Sequence, residues 1–311
     1  MPVTLGLLLV DGFSLLSYAA FIEPFRAANI LSGAQLYRWS HVALHGREAY
    51  ASNGARLVAD VEVGDAVDCD TLVVFAAGDP ANFVDEACFA WLRTLARKGI
   101  RIGGVSAGPY LLARAGLLGH RRATVHWEHA VALEAAFPDV VLENGLYVID
   151  GNRMTCAGGT AGLDLALSLI EQDHGRALAR RVGEWFIRAE PRSPDLSQRV
   201  GVAARYGTTN RRLLPMLAAM EAALEDPLPR AALAGRAGVS LRQLERLCVA
   251  ELGAGIADTY LAIRLDRAAE LLRRTGLSVI EIAFACGFRS PAHFSRRFTL
   301  RFGASPSRSR R

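Results

Sequence analysis

The sequence predicts two unlike domains: an α/β domain, with a mostly parallel sheet covered by helices on both faces, over residues 1–189, and an all-α domain with two helix-turn-helix units over residues 210–311. Residues 190–209 read as the linker between them. Three observations carry this prediction. Short apolar runs alternate with helical segments in the first two thirds of the chain. A pattern in the last third recurs at an offset of 49–50 residues. The charge is split: residues 1–195 hold 17 Lys and Arg against 22 Asp and Glu, a net −5, whereas residues 196–311 hold 19 against 9, a net +10. A basic excess confined to one part suggests a polyanionic partner for that part.

The first domain opens on Val3 to Val10, an apolar run followed at once by Asp11 and Gly12. It lacks a basic leader and reads as a buried strand, not a signal peptide. Residues 14–30 fit a helix. Apolar runs at 71–77 and 101–105 read as strands, with a helix over 83–98 between them and another after Ser106. Val141 to Cys156 reads as a hairpin turning near Gly151 and Asn152, and a helix then spans about 160–173. Gly175 to Ile187 either belongs to this domain or joins two subunits. Glu190 to Asn210 is rich in Pro, Ser, Gly and charge, a composition that suits a linker. No apolar run reaches the ~18 residues of a membrane span. The five cysteines (Cys69, Cys88, Cys156, Cys248, Cys286) are scattered and form no CxxC pair. A reducing cytoplasm is expected, without disulfides, metal site or cofactor.

The second domain carries the repeat. Leu233 to Ser240, Leu241 to Cys248 and Leu252 to Ala254 are echoed by Ile282 to Ser290, Phe294 to Phe298 and Phe302 to Ala304. In each copy a short apolar helix ends at a glycine, Gly238 or Gly287. Glycine enters the left-handed conformation there at little cost. Ser240 with Gln243 makes a capping box in the first copy; Ser290 caps the second, with Pro291 at the first helical position. Leu244 with Cys248, and Phe294 with Phe298, are core pairs four residues apart. That spacing leaves Arg242, Glu245 and Arg246 on an open face, and Ala292, His293, Ser295 and Arg296 in the second copy. These residues, with Arg297, are the candidate DNA contacts, since the second helix of such a unit enters the major groove. Glu245 reads cytosine or pairs with a neighbouring arginine. Ile256 to Thr275 reads as one helix joining the units, with Tyr260, Ile263, Leu265, Ala268, Leu271 and Leu272 on its apolar stripe.

One spot in the first domain suggests chemistry. Gly104-Val105-Ser106-Ala107-Gly108 matches G-x-S-x-G between a strand and a helix, the turn that exposes a nucleophilic hydroxyl. His126 is the candidate base. Ligands of such sheets sit at the carboxyl ends of the strands. This makes Gly78, Asp79, Ser106, Ala107, His126 and Trp127 the candidate ligand-binding set. Asp79 meets a cationic group or caps the helix starting near Ala81; Trp127 lies over a ligand cation or packs.

Residues 210–311 resemble the DNA-binding domain of the AraC/XylS family through Arg264-Leu265-Asp266-Arg267-Ala268, Ser278 to Ala283, Cys286-Gly287-Phe288, Phe294 to Phe298 and Phe302 to Pro306. Residues 1–185 resemble the ThiJ/PfpI superfamily through Val10 to Phe13, Glu23-Pro24-Phe25, Val105 to Gly108, Thr124 to Trp127 and Ala157 to Asp164. The joined arrangement is similar to the GlxA-type branch of AraC regulators. The resemblance implies a flavodoxin-like sheet and a regulator that binds a double-stranded promoter operator, with a small-molecule effector such as an amino acid or quaternary amine. It also implies a homodimer. The superfamily's enzymes carry a cysteine at the elbow, where this chain has Ser106. They also carry a glutamate after the first strand, where Phe13-Ser14-Leu15-Leu16 has no acid. The expectation is therefore a pocket with no catalytic residue. The alternative is a hydrolase or amidase that uses Ser106.

Overall fold

The computed structural model describes residues 1–188, 190–199, 201–274 and 276–310, the side chain of Arg274 excepted. The chain forms two compact units that meet in sequence at residues 199 and 200.

The first unit begins with β1 (Val3–Leu9), α1 (Leu15–Ser32) and β2 (Tyr37–Ala43). Three short strands follow, β3 (Glu48–Tyr50), β4 (Arg56–Val58) and β5 (Val61–Glu62). Next come β6 (Thr71–Ala76), α2 (Glu86–Arg97), β7 (Arg101–Ser106) and α3 (Gly108–Arg114). The unit ends with β8 (Arg122–Ala123), α4 (Ala130–Ala136), β9 (Val141–Leu142), β10 (Tyr147–Asp150), β11 (Arg153–Cys156), α5 (Ala161–His174) and α6 (Arg176–Trp185). Seven strands make the main sheet in the order β10-β11-β7-β6-β1-β2-β5. Every neighbouring pair in it is parallel except β10 with β11.

Alternation along the central strands feeds two cores. Leu5, Leu7, Leu9, Val73 and Phe75 face α1, α5 and α6. Leu8, Val10, Leu72, Val74 and Ala76 face α2 and α3. Both faces of the sheet are therefore covered, as parallel sheets require.

Three sequence expectations change, and of the two readings left open for Gly175 to Ile187 the first is the one found. The hairpin arm starts at Tyr147, because Val141 and Leu142 pair instead with β8 in a separate small sheet. The helix expected over 83–98 starts at Glu86, where Asp85 accepts from Cys88 N–H and caps it. Gly175 to Ile187 belongs to the first unit, with α6 packed on the α1 and α5 side of the sheet. The stretch 190–209 is not a free connector, because each end is built onto a unit. Arg192 and Gln198 hydrogen-bond within the first unit, whereas α7 (Val202–Tyr206) packs on the second.

The second unit continues with α8 (Leu213–Ala222), α9 (Arg230–Ala237), α10 (Leu241–Leu252), α11 (Ile256–Arg274), α12 (Val279–Ala285) and α13 (Pro291–Phe302). Helix α11 serves two cores. Ile256, Tyr260 and Ile263 pack with α8, α9 and α10. Leu265, Ala268, Ala269 and Leu272 pack with α12 and α13. Arg264 pins the junction: its Nε donates to Cys286 O at 2.7 Å and its guanidinium lies 4.2 Å from the Phe288 ring centroid. Gly287, at φ 73, abuts the 224–227 loop of the first copy, where a Cβ would fall 2.8 Å from Pro227 Cγ. The insertion-bearing turn of the second copy thus has two reasons to be glycine.

Among the described residues, no helix is long and apolar enough to cross a membrane.

Candidate functional site

The Ser106 turn is built by close packing at the end of β7. Gly104 has no room for a side chain, since a Cβ would lie 2.7 Å from Pro109 N. Gly108 is pressed in the same way against the backbone of β6 at Val74. Between them Ser106 takes φ 62, one of three non-glycine residues with positive φ among those described. A serine held in the left-handed region is strained, and such strain clusters at functional sites. Behind it, a Cβ on Gly158 would fall 2.6 Å from Ser106 Cβ. Gly159 N–H donates to Ser17 Oγ at 2.8 Å, which fixes the 158–159 turn against α1.

The strand ends gather most of the candidate ligand-binding set. Ala76 pairs with Ser106 across β6 and β7, and Ala107 N–H donates to Ala76 O at 3.0 Å. Gly78, at φ 75, and Asp79 follow directly from that end of β6. His126 N–H donates to Ser106 O at 3.2 Å. Asp79 takes the capping role: its carboxylate accepts from Ala81 N–H at 3.2 Å and from Asn82 Nδ2 at 3.0 Å. Trp127 stands one residue further out. Its ring face carries a cation from this chain, the Arg199 guanidinium, 4.5 Å from the ring centroid.

The electrostatics bear on chemistry at Ser106. His126 Nδ1 accepts a weak 3.4 Å bond from Glu128 N–H and lies 3.9 Å from the Glu128 carboxylate. The Glu128 carboxylate therefore stands on the Nδ1 side of the His126 ring. Burial pulls the His129 pKa down, against the opposing pull of the Asp79 carboxylate. Glu23 is engaged by Arg26, whose Nε donates to Oε2 at 2.7 Å. The cysteines offer no substitute nucleophile. All five are buried and unpaired. Burial pushes the Cys88 and Cys156 thiols up to about 12, and those of Cys69, Cys248 and Cys286 to about 11. Among the described residues no group of three His, Cys, Asp or Glu is placed to hold a metal ion.

The candidate DNA-reading faces lie on α10 and α13. In the first, Arg242 and Arg246 are exposed and Glu245 is half-buried. The Glu245 carboxylate folds over Gly255, where any Cβ would collide with Oε1. In the second, Ala292, His293 and Arg296 are exposed and Ser295 is half-buried. Ser295 O accepts from Thr299 Oγ1 at 2.8 Å. Arg297 is half-buried beside α11, with Nη2 4.0 Å from Asp258. The caps form as expected: Ser240 and Gln243 make a reciprocal box, and Ser290 accepts from His293 N–H. Ser278 and Glu281 make a second reciprocal box at the start of α12.

Sequence reasoning missed the residues that tie down the segment after α6. Asp164, buried in the first turn of α5, accepts from Arg188 at 2.8 Å and from Arg192 at 2.7 Å. Gln198 donates to Thr124 Oγ1, Val125 O and Gly145 O, and accepts from Trp127 N–H. These partners are 24–74 residues apart in sequence, beyond the reach of any local pattern. The one available signal was an aspartate within the apolar run Ala161 to Leu167 that opens α5.

Comparison with known proteins agrees with both halves. A helix-turn-helix domain model matches residues 233–311, and the DJ-1/PfpI family model matches residues 7–172. The HTH-type transcriptional regulator GlxA of Rhizobium meliloti (strain 1021) is 45% identical over 309 residues, which is 99% of this chain and 95% of that protein. The HTH-type transcriptional regulator CdhR of Pseudomonas aeruginosa is 44% identical over 303 residues, 97% of this chain and 90% of that protein. The crystal structure of an AraC family transcriptional regulator from Pseudomonas putida superposes with a TM-score of 0.56 at 26% identity, covering 60% of this chain and 100% of that one. The chain belongs to the GlxA-type DNA-binding transcriptional regulators of the AraC family, in which a DJ-1/PfpI domain precedes the helix-turn-helix pair.

Proposed function

We propose that this regulator senses a small metabolite in a non-catalytic pocket at the carboxyl ends of β6 and β7, and that it reads its operator as a homodimer. The observation that carries the reading is Ser106, held at φ 62 with Gly158 packed behind it. The turn keeps the backbone of a nucleophile elbow, but its Ser106 is buried and stands where enzymes of this family carry a cysteine. Its hydroxyl suits a ligand with an anionic or hydrogen-bonding end. An amino acid, or a quaternary amine that carries a carboxylate, fits that description, and the ring of half-buried Trp127 accommodates the cationic end once Arg199 leaves it. Arg242, Arg246, His293 and Arg296 are the residues assigned to DNA. The domains of this reading are a sensor up to the end of the Arg192–Arg199 segment and a reader from α7 onward.

A thermal-shift screen of the full chain tests it, against amino acids, quaternary amines and small carboxylates. A compound that binds only the folded protein stabilises it by about 2.7 kcal/mol at a hundred times its dissociation constant. The expected result is a stabilising compound whose affinity falls about tenfold in Ser106→Ala, the loss of one hydrogen bond. Equal affinity in the variant removes Ser106 from the site. A second reading has one observation in its favour, the Glu128 carboxylate beside His126. Under that reading the bound compound is hydrolysed, and Ser106→Ala abolishes product formation.

A further inference from the structure

Two segments touch Ser106, and both also hold the stretch of chain that leaves the first unit. On one side is Gly158, against the back of Ser106. Two residues on, Thr160 Oγ1 accepts from Arg192 at 2.9 Å, and Asp164 in the same turn of α5 binds Arg188 and Arg192. On the other side is His126, whose N–H donates to Ser106 O. The next residue, Trp127, donates its N–H to Gln198 Oε1 at 2.8 Å and lies beneath Arg199. Between these ties, Leu146 N–H donates to Pro194 O at 2.6 Å, and a Cβ on Gly145 would fall 2.5 Å from the same oxygen.

The stretch is otherwise lightly held. Residues 193–197 are exposed, so little apolar burial opposes their release. It is also entered through strain. Ile187, at φ 55 and fully exposed, is a β-branched residue in the left-handed region. Arg199, at the far tie, is the last residue of the first unit.

We propose that Arg188 and residues 190–199 form a strap whose hold on the first unit is set by the occupant of the Ser106 pocket, and whose release changes the freedom of the DNA-reading unit that follows it. The proposal rests on the sensor reading of that pocket. A hydrogen bond of 2.8–3.0 Å is lost when its partners separate by a further ~1 Å. An occupant that displaces either wall of Ser106 by that much unties the strap at the corresponding end. Arg199 on Trp127 and Gln198 in its four-way hydrogen-bond set are the ties nearest the second unit. The two states, tied and released, are the pair of arrangements that a ligand needs in order to bias DNA binding.

The test uses the full chain without ligand, so its failure is separate from failure of the sensor reading. Amide hydrogen–deuterium exchange is measured on wild type and on the Gln198→Ala/Arg199→Ala double variant. Both are also titrated into a duplex that the wild type has enriched from a random-sequence pool. Exchange of amides 192–199 is expected to rise at least tenfold in the variant, and the duplex Kd to shift at least fivefold. Arg199→Glu, a single change at an exposed position, is expected to move both readouts in the same direction. Arg180→Ala, which removes only a 3.7 Å pair with Glu184 on exposed α6, is the control and moves neither. Unchanged exchange at 192–199 would show that these side chains do not tie the strap. Faster exchange with a Kd within twofold of wild type would show that the ties do not reach the reader. Either result overturns the proposal.

Discussion

Arg246 and Arg296 occupy equivalent places, 50 residues apart, on the second helix of each repeat, and both are exposed. An arginine free to reach a base edge discriminates by about 1–3 kcal/mol, so Arg296→Ala is expected to cost that much preference for operator over random duplex. Competition titrations measure it, and an unchanged preference removes Arg296 from base readout. Arg297→Ala is expected to leave the preference intact, because Arg297 faces Asp258 on α11. The cysteines make a second residue-scale prediction. The thiolate is the reactive form, and burial holds these thiols protonated. Ellman titration of native protein at pH 8 is expected to find no fast thiol, with all five appearing on unfolding. Residue roles set by neighbours in sequence were legible: the Ser240 cap, the Gly238 turn and the core pair Phe294 and Phe298. Roles set by distant contacts were not. Asp164 bonds Arg188 and Arg192, 24 and 28 residues further along the chain.

At the scale of elements, the legible strands were those buried on both faces. The β1, β6 and β7 strands run through the sheet centre and show unbroken apolar runs. Strand β2, with the sequence YRWSHVA, lies near the edge, where exposed Arg38 and half-buried Ser40 and His41 break any run. Two-residue strands such as β5, β8 and β9 are too short for any periodicity to appear. Helix α6 ends in an unusual way. Ile187 takes the left-handed position that glycine favours, and Arg188 N–H closes back on Gly183 O at 3.0 Å. Ile187→Gly is expected to stabilise the first unit by about 0.5–1 kcal/mol, the left-handed penalty of a β-branched residue less the entropy glycine adds to the unfolded chain. Chemical denaturation reads this directly, and a destabilised variant would show that Ile187 is not strained.

For the molecule as a whole, the division into an acidic α/β unit and a basic helical unit was legible from charge and pattern. The placement of the boundary was not, because the Pro- and Ser-rich stretch that resembles a free linker is fastened by buried Asp164. The first unit also has a pH limit. Burial lowers the pKa of His129 and of His41, with Asp79 and Asp60 opposing. A histidine whose folded pKa lies below its unfolded value of about 6.5 favours the folded state above that pH. That stability is lost as the pH falls through the window below about 6.5, where the unfolded chain takes up the proton first. The melting temperature is therefore expected to fall between pH 6.5 and 5, and His129→Gln to flatten the fall. An equal fall in the variant would place the titration elsewhere.

If the first unit is the sensor, its occupancy alters DNA reading by the second. The most direct measurement is the Kd of the full chain for its selected duplex, with and without a saturating amount of the compound that most stabilises it in the thermal screen. Coupling of this kind commonly amounts to 5–150-fold. A change of at least fivefold is expected, and one that shrinks in the Gln198→Ala/Arg199→Ala variant. A compound that raises the melting temperature yet leaves the Kd within twofold would contradict it.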